Sequence, residues 1–117
     1  LRINESILGI TREAFSDALA AEGFPHFLGY VQPLYMLPIF QQKIAVGRDG
    51  WSFTLTDRSY DKGICPVAER MYEKELLCFE TCAFRVDKDG INQLVEAIRK
   101  VHMNRHLINS SKSPTHD

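Results

Sequence analysis

The chain has 117 residues, a length that fits one domain. Its formal net charge of −1 leaves no basic excess for binding nucleic acid or an anionic membrane surface. Hydrophobic residues make up 44% and charged residues 25%, as in ordinary globular domains, and no apolar run approaches the roughly 20 residues of a membrane span. Three cysteines without zinc-site spacing, together with the lack of a signal-peptide pattern, indicate a soluble protein of the reducing cytoplasm.

The first predicted element is a helix over residues 11–22. Its apolar residues recur at helical spacing, Thr11 is a suitable N-cap, and Gly23 can adopt the positive φ that follows a helix end. Pro25 prevents the helix from continuing and favours a short strand over residues 26–31. Within that strand, Gly29 predicts a close approach of another chain segment.

Residues 33–63 are predicted to be largely irregular. Pro33 and Pro38 leave the apolar segment between them too short for an ordinary helix, so a partly buried crossing is expected there. Residues 51–55 alternate between apolar and polar side chains, and glycines flank them. That pattern predicts a short strand or an insertion with a packed hairpin.

A second helix is predicted to begin at Pro66 and to end near Glu75. Its apolar stripe consists of Val67, Ala68, Met71 and Tyr72, and its charged residues, Glu69 among them, are expected to face solvent. An alternating strand over residues 77–81 follows.

The last helix has the clearest sequence signal. Asp87 is its N-cap, Val86 and Ile91 are placed for a hydrophobic staple, and one face carries Leu94, Val95, Ile98 and Val101. Residues 109–117 have nothing apolar to bury and are expected to form a disordered polar tail. The element order predicts an α+β fold with helices packed on one face of a small, mostly antiparallel sheet.

Five segments along residues 10–101, in this order and spacing, resemble the C-terminal small domain of the DegT-type sugar aminotransferases, which are pyridoxal-phosphate (PLP) enzymes of fold type I. The segments are Glu22-Gly23-Phe24-Pro25, Gly29-Tyr30-Val31-Gln32-Pro33-Leu34-Tyr35, Pro38-Ile39-Phe40-Gln41, Cys65-Pro66-Val67-Ala68-Glu69-Arg70 and Glu96-Ala97-Ile98-Arg99-Lys100-Val101. The resemblance implies that residues 1–108 form this small domain. It also implies a PLP-binding large domain upstream in the same polypeptide. The sequence is therefore interpreted as part of a longer parent chain, and the resemblance implies that this parent forms a homodimer.

The activity implied by the resemblance is transfer of an amino group from an amino acid, such as glutamate or glutamine, to a keto-sugar or keto-cyclitol. The small domain would close over the substrate side and would be inactive alone. Residues 47–63 match no family segment and leave the substrate open. Related dehydratases differ at the cofactor lysine, so amination and deoxygenation both remain open.

No residue of this chain is predicted to be catalytic or to bind PLP or a metal. The six lysines are Lys43, Lys62, Lys74, Lys88, Lys100 and Lys112, and none follows the turn that presents the family's cofactor lysine. The histidines His102 and His106 are an isolated i, i+4 pair, which is explained more simply by the helix dipole than by a metal. Cys78 and Cys82 are interpreted as structural thiols.

Tyr35 is the first candidate for substrate binding. Pro33-Leu34-Tyr35 matches the family's Pro-Leu-His/Tyr segment, which implies a phenol at the substrate mouth that hydrogen-bonds a sugar hydroxyl. The alternative is a core tyrosine whose hydroxyl has a local partner. Tyr30 is the second candidate.

A different class of function also fits the sequence, namely a stand-alone binding or interaction module that has the same fold without chemistry. The two hypotheses differ in one expected feature. Half of an enzyme should expose an apolar face where its large domain docks, whereas an independent module should carry polar residues there.

Overall fold

The computed structural model describes residues 1–29, 31–44, 50–80 and 87–108. Within these ranges the chain forms five α-helices and a two-stranded antiparallel sheet, so the predicted α+β class is confirmed. The helices are α1 (Glu5–Leu8), α2 (Arg12–Ala21), α3 (Pro38–Gln41), α4 (Pro66–Arg70) and α5 (Lys88–Met103), and the strands are β1 (His26–Leu28) and β2 (Leu77–Phe79).

The sheet pairs β1 with β2 in antiparallel register, with His26 opposite Phe79 and Leu28 opposite Leu77. The predicted strand over residues 26–31 is too long, because the chain turns at Gly29, which has a φ of 63°. The expected close approach at Gly29 is confirmed, since a Cβ placed on this residue would lie 2.8 Å from Cδ2 of Tyr72.

A further extended segment, residues 1–3, lies along β2 and has no counterpart in the sequence predictions. The backbone nitrogen of Leu1 donates to the Leu77 carbonyl at 2.8 Å, and the Leu77 nitrogen donates to the Leu1 carbonyl at 2.9 Å. Ile3 donates to the Glu75 carbonyl at 2.6 Å. Three residues are too few to display the alternation by which a strand is recognised in sequence.

Helix α2 is the central element of the core. It packs against β1 and α5, and its Phe15 and Leu19 are buried together with Ile3, Leu77, Ala97 and Val101. The predicted caps are confirmed: the Thr11 hydroxyl accepts from the Ala14 nitrogen at 3.2 Å, and Gly23 has a φ of 88°. Leu19 and Leu77 are the largest fully buried side chains of the described residues.

Buried Arg12 links α2 to the segment that follows α4. Its guanidinium donates to the carbonyls of Tyr72 at 2.8 Å and Leu76 at 3.3 Å, and it pairs with Glu13. The backbone nitrogen of Arg12 also donates to Glu5 at 2.8 Å. One side chain therefore connects the start of α2 to the chain entering β2.

Helix α5 begins as predicted, with the Asp87 carboxylate accepting from the Gly90 nitrogen at 2.9 Å. Its buried residues are Ala97 and Val101, with Leu94 and Ile98 half-buried. Val95, predicted on the same face, is 38% exposed. The staple partner Val86 and the tail over residues 109–117 lie outside the described residues.

The short strand predicted over residues 51–55 is wrong. These residues form a turn followed by a 3₁₀ turn over Phe53–Leu55, because the Phe53 ring packs against Phe40 and Tyr60 at centroid distances of 6.1 and 5.7 Å. The second predicted helix has its expected extent from Pro66 to Glu75, with α4 followed directly by a π-helical turn over Met71–Glu75.

Candidate functional site

Tyr35 lies in a 3₁₀ turn over Leu34–Met36 that runs directly into α3 at Pro38. The amide nitrogen of Gln41 donates to the Tyr35 carbonyl and to the Tyr60 carbonyl, each at 2.6 Å. The Gln32 amide donates to the Met36 carbonyl at 2.9 Å. Two glutamine side chains therefore fix the backbone on which the half-buried Tyr35 ring stands.

Glu69 on α4 is the residue that meets Tyr35. Its Oε1 accepts the Tyr35 hydroxyl hydrogen and, at 2.7 Å, the backbone N–H of Gly63. Glu69 is 6% exposed, whereas Val67 on the same helix is 56% exposed. The prediction of a solvent-facing Glu69 is therefore wrong, because the carboxylate turns inward to these two hydrogen-bond donors.

The contact joins two of the five segments that carry the family resemblance. Tyr35 and Glu69 are 34 residues apart in sequence, and neither segment indicates the other by itself. Pro66 opens α4 and places Glu69 in its first turn, facing the 3₁₀ turn of Tyr35. Glu69 belongs to one of the segments that resemble the family. Its position on a helix beside other charged residues nevertheless predicts a side chain that faces solvent, whereas the side chain is buried.

No protein-family model, curated protein or solved structure matches this chain. The family resemblance accordingly stays a prediction, and the site is interpreted from its own geometry.

The protonation states of the pair follow from its surroundings. Burial, the hydrogen bond to Glu69 and the charge of Glu69 together raise the pKa of Tyr35 from its ordinary 10.0 to about 12. The hydrogen bonds from Tyr35 and from the Gly63 nitrogen lower the pKa of Glu69 below its ordinary 4.5, although burial opposes the shift. At neutral pH the pair is thus a neutral phenol and a carboxylate.

An ion pair lies next to this site. Lys62 Nζ contacts Glu73 Oε1, and this hydrogen bond is the main cause that raises the pKa of Lys62. The Lys62 charge also contributes to the lowered pKa of Glu69. The Lys62 ammonium is therefore shared electrostatically between two carboxylates, while its hydrogen bond goes to Glu73.

The other residues singled out from the sequence lie apart from Tyr35 or outside the described ranges. Tyr30, Cys82 and Lys112 lie outside them. His26 Nδ1 donates to the Phe24 carbonyl at 2.7 Å, and its Nε2 lies 2.7 Å from the Ser16 hydroxyl, so His26 has a structural environment. The described part of the chain contains no group of three or more metal-ligating side chains.

The described lysines do not offer a site for PLP. Lys43, Lys62, Lys74, Lys88 and Lys100 are all exposed. Lys100 is paired with Glu22 at 2.8 Å, and Lys62 is paired with Glu73. A Schiff-base lysine needs an enclosed site that lowers its pKa, and hydrogen bonding to Glu73 raises that of Lys62 instead.

An apolar groove lies on the side of the molecule formed by α1, α2 and α5. It has a volume of about 270 Å³, and its apolar lining residues are Leu1, Ile3, Ile7, Leu8, Phe15 and Ile98, with Arg2, Asn4 and His102 as polar lining residues. Ile7 is 80% exposed at this groove.

Among the described helices none is both long and apolar enough to cross a membrane.

Proposed function

We propose that this chain is the small domain of a PLP-dependent aminotransferase that transfers an amino group from an amino acid to a keto-sugar or keto-cyclitol. In this proposal the domain covers the substrate side, Tyr35 contacts the substrate, and the chain alone is inactive. The parent enzyme is a cytoplasmic homodimer whose large domain holds PLP and supplies the amine-transfer chemistry. Because the described lysines do not fit a Schiff-base site, no residue of this chain is assigned to PLP.

The observation that carries the proposal is the hydrogen bond between Tyr35 and Glu69. These residues belong to Pro33-Leu34-Tyr35 and Cys65-Pro66-Val67-Ala68-Glu69-Arg70, two segments on which the resemblance rests. Their contact supports treating them as parts of one site.

The apolar groove favours the half-enzyme over the stand-alone module. Six of its nine lining residues are leucines, isoleucines or a phenylalanine, the other three are Arg2, Asn4 and His102, and Ile7 is 80% exposed. Contiguous apolar surface on a soluble protein generally marks a surface that contacts another protein unit. An independent module is expected to carry polar side chains at these positions.

The test is to read the gene upstream of Leu1 and to produce the polypeptide that it encodes. We expect the reading frame to continue into a large domain with a cofactor lysine, and the longer protein to show the absorbance of lysine-bound PLP. With glutamine and a keto-inositol it should form an amino-inositol, and light scattering should give the mass of a dimer. Replacing Tyr35 by Phe should reduce the rate with the keto-inositol more than the half-reaction with glutamine.

The control is the 117-residue chain under the same conditions, which should show neither bound PLP nor transamination. Stoichiometric lysine-linked PLP on this chain would overturn the proposal. A start codon next to Leu1, with no large domain encoded before it, would favour the stand-alone module instead.

A further inference from the structure

The Tyr35 phenol has a restricted hydrogen-bonding capacity. A phenol carries one hydrogen to donate and lone pairs with which to accept. The hydrogen of Tyr35 is directed at Glu69 Oε1, and an ionised carboxylate can only accept. While this bond is present, Tyr35 Oη can act toward a ligand only as a hydrogen-bond acceptor, and the backbone N–H of Cys65, which lowers the pKa of Tyr35, competes for that acceptor.

The carboxylate is held firmly enough to enforce that restriction. Glu69 is buried, and its Oε1 also accepts the backbone N–H of Gly63 at 2.7 Å, so a main-chain group fixes its position as well. Rotating the phenol hydrogen toward a ligand would leave a buried carboxylate with one donor fewer, which is unfavourable. Lys62, whose charge contributes to the lowered pKa of Glu69, has its hydrogen bond with Glu73.

We propose that Glu69 is a positioning residue that holds Tyr35 as a hydrogen-bond acceptor, so that the site selects ligands presenting a hydroxyl or ammonium hydrogen and discriminates against groups that only accept. This proposal rests on the proposed function, because it takes Tyr35 to face the substrate. It deepens that function by specifying which part of a keto-cyclitol meets Tyr35. A ring hydroxyl fits this position, whereas the keto oxygen does not.

The test uses two cyclic polyols of the same skeleton, myo-inositol and its hexa-O-methyl ether. The ether retains every oxygen acceptor but has no hydrogen to donate. The longer polypeptide that the gene encodes is labelled with ¹³Cζ-tyrosine, and the Tyr35 signal is assigned by its loss in Tyr35→Phe. Each polyol is then titrated while the Tyr35 signal is followed by NMR.

We expect myo-inositol to shift the Tyr35 signal and the ether to bind at least about 3-fold more weakly, because the ether cannot donate a hydrogen bond to Tyr35. Without ligand, Glu69→Gln should move the Tyr35 signal because the phenol loses its charged acceptor, and it should remove most of the preference between the polyols. Glu96→Gln is the matched control, since Glu96 is exposed on α5 and pairs with Arg99 instead of Tyr35. That variant should leave signal and preference unchanged.

The proposal is overturned if the two polyols bind equally, if neither shifts the Tyr35 signal, or if Glu69→Gln keeps the full preference. These outcomes are separate from failure of the proposed function, which is judged by PLP binding and transamination in the longer polypeptide. A functioning aminotransferase in which Tyr35 does not distinguish the polyols would refute only the role of Glu69. A donor-selective Tyr35 in a protein without PLP chemistry would refute only the aminotransferase.

Discussion

Replacing Gly29 by Ala tests the close packing between the end of β1 and the helical segment that carries Glu69. Gly29 has a φ of 63°, and a Cβ there would lie 2.8 Å from Tyr72 Cδ2 and 3.2 Å from the Tyr72 carbonyl oxygen. The left-handed backbone costs an alanine about 1–2 kcal/mol. Overpacking against Tyr72 adds about 1–3 kcal/mol. We therefore expect the free energy of unfolding to fall by about 2–5 kcal/mol in total.

Gly23→Ala is the matched control, because Gly23 has a φ of 88° and open space within 4 Å of its Cβ position. It should lose only the backbone part, about 1–2 kcal/mol. The effect of alanine on the unfolded chain is the same in both variants and cancels. Urea unfolding followed by circular dichroism measures both. Equal losses in the two variants would show that Tyr72 does not approach Gly29 as described.

Three further predictions concern the core, a helix cap and the buried carboxylate. Leu19→Ala should lower the free energy of unfolding by about 2–5 kcal/mol in urea, since Leu19 is fully buried, and a loss below about 1 kcal/mol would contradict this core. Asp87→Ala should cost about 1 kcal/mol, whereas Asp87→Asn should largely keep the cap. The pKa of Glu69 is lower in the folded chain than its ordinary 4.5, so its contribution is complete above that pH and is lost as the pH falls through the folded value. Glu69→Gln should therefore flatten stability against pH on the acid side, and an unchanged acid limb would contradict the buried hydrogen bonds.

The helices α2 and α5 could be predicted because their signals are local. Each has a capping side chain, Thr11 or Asp87, followed by apolar residues at helical spacing over several turns. The pairing of residues 1–3 with β2 could not be predicted, because it consists of backbone hydrogen bonds between segments more than 70 residues apart. Side-chain patterns carry no record of such bonds.

The alternation over residues 51–55 is misleading for a different reason. A run of five residues is compatible with a strand or with turns, and its outcome depends on which distant partners its apolar side chains find. Here Phe53 contacts Phe40 and Tyr60, two aromatic residues of neighbouring segments, and the chain coils around that cluster. Aromatic packing from outside the window therefore decides the local conformation.

Glu69 shows why the site itself could not be predicted. Helical spacing places it among charged neighbours, and charged residues are rarely buried unless they have partners. Its partners are the Tyr35 hydroxyl and the Gly63 nitrogen, which only the fold brings to it. Tyr35 is identified by resemblance, but the role of its hydroxyl depends on Glu69. The local partner expected of a core tyrosine is thus present, and it is a charged one.

A local partner does not by itself reduce Tyr35 to a structural residue, and the double variant Tyr35→Phe with Glu69→Gln separates the two roles. Removing only the Tyr35 hydroxyl leaves a buried carboxylate with fewer donors, so Tyr35→Phe alone should destabilise the chain and raise the pKa of Glu69. In the double variant the introduced glutamine side chain is neutral and its carbonyl oxygen can still accept from Gly63, so much of that stability should return. If the pair is purely structural, the double variant should recover both its stability and its binding of myo-inositol. If Tyr35 accepts from a ligand, stability should return while myo-inositol binding stays weak, because stability requires only matched partners and ligand binding requires the phenol oxygen itself.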